Sequence, residues 1–238
     1  MANVEWRIEE RDLSFSHSLF TISHSPFVFS QSSLVMTRPL DFASHLDLLF
    51  ACRACPNVHG EPVTGAVAGA KVMLVGQAPG PHEREERVPF AYTAGRRLFG
   101  WFAPFGVDEA AFRNRIYIAA VIRCFPGRDA KGGGDRVPDE GEIARCAQHL
   151  DRELMLLAPK LVIAVGTLAS AQLTGVSQLK AAVGVRHRVE RAGRSFDVVV
   201  LPHPSGRSTW LNEPKNQALL RQSLRLIVEH PAWRRTFP

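Results

Sequence analysis

The stretch FDVVVLPHPSG occupies residues 196–206. From Val198 to Leu201 it is unbroken apolar sequence, which reads as a strand covered on both faces. The run ends at Pro202, and His203 stands between two prolines. Proline cannot donate to a ladder, so pairing stops there. Open parallel sheets bind ligands at the carboxyl ends of their strands. A titratable ring at this position is therefore a candidate site residue.

The same kind of apolar run recurs three times. AKVMLVGQAPG (70–80) ends in a Gly/Pro loop, RIYIAAVIRC (115–124) ends in a cysteine, and KLVIAVGTLASAQLTG (160–175) turns at Gly166 into a helix. Helical spacing marks the segments around 37–55, 96–106, 138–160 and 214–230. Strands without polar alternation, separated by helices, predict an α/β domain with a central four-stranded parallel sheet flanked by helices. GRDAKGGGDRVP (127–138) reads as a flexible loop around three successive glycines.

The first 36 residues differ in kind. SFSHSLFTISHSPFVFSQSSLVM is rich in Ser and Phe, has no clear period, and lacks the basic start and apolar core of a secretory signal. Residues 1–36 are expected to be a poorly ordered extension, or upstream codons before a natural start at Met36; residues 37–238 are expected to be the domain. The 238-residue chain has no apolar run of the roughly 18 residues a membrane span needs, and its 45% hydrophobic content suits a packed core. Lys+Arg minus Asp+Glu is 29 − 23 = +6, a balance compatible with a polyanionic partner such as nucleic acid.

Four cysteines are present: Cys52 and Cys55 as a tight pair, Cys124 at a strand end, and Cys146 on the following helix. Nothing marks the chain as secreted, which argues against disulfides. Four thiolates can close a zinc site or hold an iron–sulfur cluster, and spacing does not choose between them.

CRAC, VGQAPGPHE, PFAYTAG, IYIAAVIRC, the Cys146 helix, PKLVIAVG and LPHPSG, in this order, resemble the uracil-DNA glycosylase superfamily, in its iron–sulfur branches known as families 4 and 5. The resemblance runs from about Cys52 to about Leu226. It implies a [4Fe–4S] cluster on Cys52, Cys55, Cys124 and Cys146, structural rather than redox, and a monomeric, cytoplasmic, nucleoid-associated enzyme that excises uracil and other deaminated bases from DNA. It makes His203 the donor to the leaving base, and Gln77, with Gly76, Ala78, Pro79 and Gly80, the loop that walls the pocket. Phe90 would stack on the flipped base, Ser205 would bind a neighbouring phosphate, and Arg207 would enter the duplex. Trp210 would anchor the same loop. Arg96, Arg97, Arg186 and Arg188 would follow the DNA backbone or simply face solvent.

Three departures from the family pattern bear on the chemistry. Gln77 and Ala78 stand where the two branches carry acids, and a glutamine has no titratable group to act as a base. Gln77, His82 or Glu83 would then have to serve the attacking water. Ala120 stands where family 4 has an asparagine that reads uracil, so base discrimination is expected to relax. Thr93 stands where family 5 tends to carry an aspartate. The missing acid also motivates a rival reading, an iron–sulfur protein that binds uracil or abasic sites without turnover. A third reading is a redox sensor whose cluster tunes DNA affinity.

Overall fold

The computed structural model describes residues 41–130, 132–206 and 208–238. The boundary expected near residue 36 lies outside them, as does Arg207.

Helix α1 (Phe42–Phe50) is capped by Asp41, whose carboxylate accepts from the Ser44 N–H at 2.8 Å. Strand β1 (Val72–Gly76) leads through α2 (Pro81–Glu86), α3 (Thr93–Gly100) and α4 (Glu109–Arg115) to β2 (Tyr117–Ala120). Helix α5 (Glu140–Leu157) starts at a capping box between Asp139 and Glu142. Then come β3 (Leu161–Val165), α6 (Thr167–Thr174), α7 (Leu179–Ala182), and a hairpin of β4 (Arg186–Arg191) and β5 (Arg194–Leu201). Helices α8 (Pro214–Val228) and α9 (Pro231–Thr236) close the fold.

The sheet order is β2-β1-β3-β5-β4. Strands β2, β1, β3 and β5 are parallel, as the apolar runs predict. The expectation of four strands, all parallel, needs correcting: a fifth strand, β4, pairs antiparallel with β5 at the edge. Its sequence, RHRVER, alternates exposed and half-buried residues. A search for apolar runs passes over such a strand, and charged residues suit an edge because they discourage further pairing.

Every residue of β1, β2 and β3 is buried, because both faces are covered. On one face Met73, Val75, Val162 and Ala164 pack with Leu150, Leu154 and Leu157 of α5. On the other, Val72, Leu74, Ile163 and Val199 pack with Leu98 of α3 and with Leu220 and Leu224 of α8.

A charged cluster lies within this core. Glu153 of α5 is fully buried and holds the Arg123 guanidinium, accepts from the Tyr117 hydroxyl at 2.6 Å, and meets His45 Nε2 at 3.3 Å. Burial pushes the Glu153 carboxyl up, but Arg123, His45 and Tyr117 outweigh burial and hold it below its usual range. The signal for it in the sequence is a carboxylate on the stripe that also carries Cys146, Leu150 and Leu157.

Candidate active site and four-cysteine cavity

A pocket of about 540 Å³ opens at the carboxyl ends of the parallel strands. One wall is the loop after β1, Gly76 to Gly80, with Gln77, Ala78 and Pro79 between them. Phe90 and Ala120 form the adjoining surface, and His203 and Ser205 approach from the end of β5. The structure thus brings together every predicted pocket residue it describes.

Each wall is held by specific contacts. Gly76 and Ala120 are register partners at the ends of β1 and β2. Past the strand ends, the Val121 N–H donates to Gly76 O at 2.9 Å and the Ile122 N–H to Gln77 O at 3.2 Å, fixing the motif loop. Phe90 has φ +55°, a conformation that costs a non-glycine residue about 1–3 kcal/mol. The Arg113 guanidinium holds it there by donating to Pro89 O at 2.7 Å and Phe90 O at 3.1 Å. A Cβ on Gly76 would meet the Phe90 ring at 3.2 Å, so the missing side chain lets the ring lie over the strand end.

His203 is oriented through its own turn. The Ser205 N–H donates to His203 Nδ1 at 3.2 Å. Nδ1 is therefore the acceptor, and the neutral ring carries its proton on Nε2. Burial holds this imidazole below its ordinary range, against the opposing pull of the Asp135 carboxylate. At neutral pH the pocket is thus lined by a neutral imidazole with an Nε2–H donor.

Other predicted residues have defined places. Thr93 and His82 line the pocket, and His82 stacks on Tyr92 with ring centroids 4.0 Å apart. Glu83 is committed to capping α2, its carboxylate accepting from the Gly80 N–H at 2.9 Å. Arg97 donates to Ser205 O at 3.3 Å, and Arg96 lies over the Tyr92 ring at 5.7 Å. Arg186 and Arg188 do not line the pocket; they sit on the edge strand and ion-pair with Asp197 at 3.8 and 2.9 Å. Trp210 packs against the core, as an anchor would.

The pocket also has a wall that the sequence did not reveal. Arg128, Gly133, Gly134 and Asp135 belong to the glycine-rich segment, which folds over the site. The segment is a hairpin, with Arg128 and Asp135 bridged and their side chains ion-paired at 3.2 Å. An Asp-Arg pair following a glycine run was the available signal.

A second cavity, of about 100 Å³, is lined by Cys52, Cys55, Cys124 and Cys146. The Cys-x-x-Cys turn follows α1, where Arg53 donates to Phe50 O and Cys52 O, each at 2.8 Å. The Cys124 segment is tied to the chain beyond that turn by His59 N–H to Phe125 O at 2.8 Å and Val63 N–H to Arg123 O at 2.7 Å. All four thiols are free. Burial, then the other three cysteines, pushes the Cys124 thiol up to about 12. Four thiolates can share this space only with compensating positive charge. His149 also lines the cavity, and neither of its buried ring nitrogens has a hydrogen-bond partner. Among the described residues, no three Cys, His, Asp or Glu side chains are close enough to share one metal ion.

The sequence model of the Uracil DNA glycosylase superfamily matches residues 62–228. Among curated proteins, the chain is 28% identical over 170 residues to the Type-4 uracil-DNA glycosylase of Archaeoglobus fulgidus, covering 66% of this chain and 78% of that one. To the protein of the same name from Pyrobaculum aerophilum it is 26% identical over 175 residues, covering 70% and 84%. To that of Sulfurisphaera tokodaii it is 33% identical over 109 residues, covering 43% and 45%. The matched span takes in every residue that lines the pocket, from Val63 to Ser205, and the chain belongs to the Uracil DNA glycosylase superfamily.

Proposed function

We propose that this chain hydrolyses the N-glycosidic bond of uracil in DNA and leaves an abasic site. The observation that carries the reading is the orientation of His203, whose Nδ1 is occupied by the Ser205 N–H while its ring lines the pocket. A base must leave the stack to reach such a pocket. Phe90 would stack on it, and the Gly76–Gly80 loop would close one side. As the bond breaks, negative charge builds on the base and collects on O2. A neutral Nε2–H aimed at that oxygen stabilises the transition state more than the ground state. The curated relatives named above carry the name uracil-DNA glycosylase, which supports the same substrate.

All four cysteines line one cavity and none is in a disulfide. A four-thiolate donor set fits either zinc or an iron–sulfur cluster, and the family resemblance favours a [4Fe–4S] cluster. Cys52, Cys55, Cys124 and Cys146 would hold it, and when bound it would cross-link the α1 turn, the segment after β2, and α5. Hydrolysis transfers no electron, so the reading gives the cluster a structural part. Ala120 places no amide in the pocket, which favours acceptance of other deaminated bases as well as uracil. The reading also takes the protein to act as a monomer.

The test is base release from labelled oligonucleotides carrying uracil, hypoxanthine or xanthine, with alkali cleavage at abasic sites. Release of uracil by the native chain and its loss in His203→Ala are expected. Tight binding of uracil DNA without release would favour the non-turnover reading that Gln77 and Ala78 motivate.

A further inference from the structure

The loop after β1 offers Gln77 and Ala78 where a carboxylate would serve water, and Glu83 is occupied as a helix cap. Among the described residues lining the pocket, one other carboxylate remains, that of Asp135. It comes from the glycine hairpin. A Cβ built on Gly80 would stand 3.3 Å from Asp135 Oδ2, so this oxygen lies against the motif loop. Oδ1 faces Arg128 at 3.2 Å. Among the described residues, Asp135 is also the acid whose charge opposes the effect of burial on His203.

The hairpin carrying this acid is anchored. The Arg136 N–H donates to Gly127 O at 2.9 Å, closing the hairpin. The Arg136 guanidinium grips buried Glu142 through two bonds, of 2.9 and 2.7 Å, and donates to Pro126 O at 3.0 Å. Three glycines give the tip its reach, and the next arginine fixes where the aspartate stops.

We propose that Asp135 is the group that takes the proton from the attacking water, replacing the acid absent from the motif loop. The assignment rests on the glycosylase reading above. In the step, the water oxygen bonds to C1′ of the deoxyribose while the C1′–N bond breaks. The bonding pair leaves with uracil as its anion, with O2 against His203 Nε2–H. The water proton passes to the Asp135 carboxylate and from there to solvent. The anion then takes up a proton, so one water is consumed and none of the protein's groups is changed.

The experiment is single-turnover release of uracil by the native chain, Asp135→Asn and Asp135→Ala, with and without added formate. Affinity for uracil DNA and thermal unfolding are measured on each variant. Native release is expected, with Asp135→Asn slower by about 100-fold or more, affinity within about twofold, and unfolding unchanged. Formate, a small carboxylate that can enter the space left by the side chain, is expected to restore Asp135→Ala in proportion to its concentration and to leave Asp135→Asn slow. Native release with Asp135→Asn within threefold of it would overturn the assignment. So would a slow Asp135→Ala that formate does not rescue and that binds DNA more weakly, because that pattern marks a structural ion pair with Arg128. A native chain that releases no uracil would overturn the glycosylase reading itself, and this assignment with it.

Discussion

At the scale of single residues, the chemistry of the pocket turns on a proton's location. His203 donates from Nε2 only while Nδ1 accepts from Ser205. A second proton would set two N–H groups against each other and undo the turn. Because the pKa of His203 is lowered by burial, the neutral form persists below the ordinary histidine range. Single-turnover rates are therefore expected to be level across pH 7–8 and to fall only on the acid side, as a pH series would record. Replacing His203 by alanine is expected to slow release by about 10²–10³-fold, the usual loss for one such donor. Phe90 gives a second residue-scale expectation. A Cβ on Gly95 would lie 1.7 Å from Phe90 O, so Gly95→Ala must displace the very backbone that Arg113 holds in place. A loss of about 1–3 kcal/mol in urea unfolding is expected, together with slower base release. An unchanged rate and stability would show that Phe90 has room to move.

At the scale of elements, the four parallel strands were legible because burial on both faces leaves only apolar residues in them. Strand β4 was not, because its partner β5 and its edge position, rather than its composition, make it a strand. Gly76 and His203 were legible because each lies at the end of an apolar run, whereas Gln77, Phe90 and Ala120 were legible through the motifs that carry the family resemblance. The glycine hairpin reads in the sequence as a flexible loop; its place over the pocket depends on contacts such as that of Asp135 with the loop at Gly80, which is distant in sequence. Of the contacts that anchor the hairpin, that of Arg136 with Glu142, six residues further along the chain, has the clearest energetic consequence. Arg136→Ala would leave a buried carboxylate without its cation, and a loss of about 2–3 kcal/mol is expected for bonds to a charged group. Urea unfolding measures that loss, and slower release of uracil should accompany it as the hairpin loosens.

At the scale of the whole molecule, the cysteine cavity and the Glu153 cluster join the sheet to α1 and α5. Their legibility differed. Four cysteines stand out in any sequence, whereas Glu153 looks like an ordinary helix acid until Arg123 is found buried beside it. Glu153→Ala would strand that guanidinium, and unfolding is expected to become easier by about 3–5 kcal/mol. His149 adds a pH dependence: burial lowers its pKa from 6.5 to about 4. A lowered value means the unfolded chain binds the proton first, so this contribution to stability is complete above pH 6.5 and is lost as pH falls towards 4. Thermal melts across that window should show the decline, and His149→Phe should make it shallower, the lowered pKa values of His203 and His230 contributing the remainder. These parts matter to function only if the molecule they support removes a base. The most direct measurement is uracil release under single-turnover conditions by the native chain beside His203→Ala, with binding of uracil DNA recorded for both. Release by the native chain, slowed at least about 100-fold in the variant with binding retained, is the expected result. Equal release by the two proteins would contradict the role given to His203, and binding without any release would contradict the glycosylase itself.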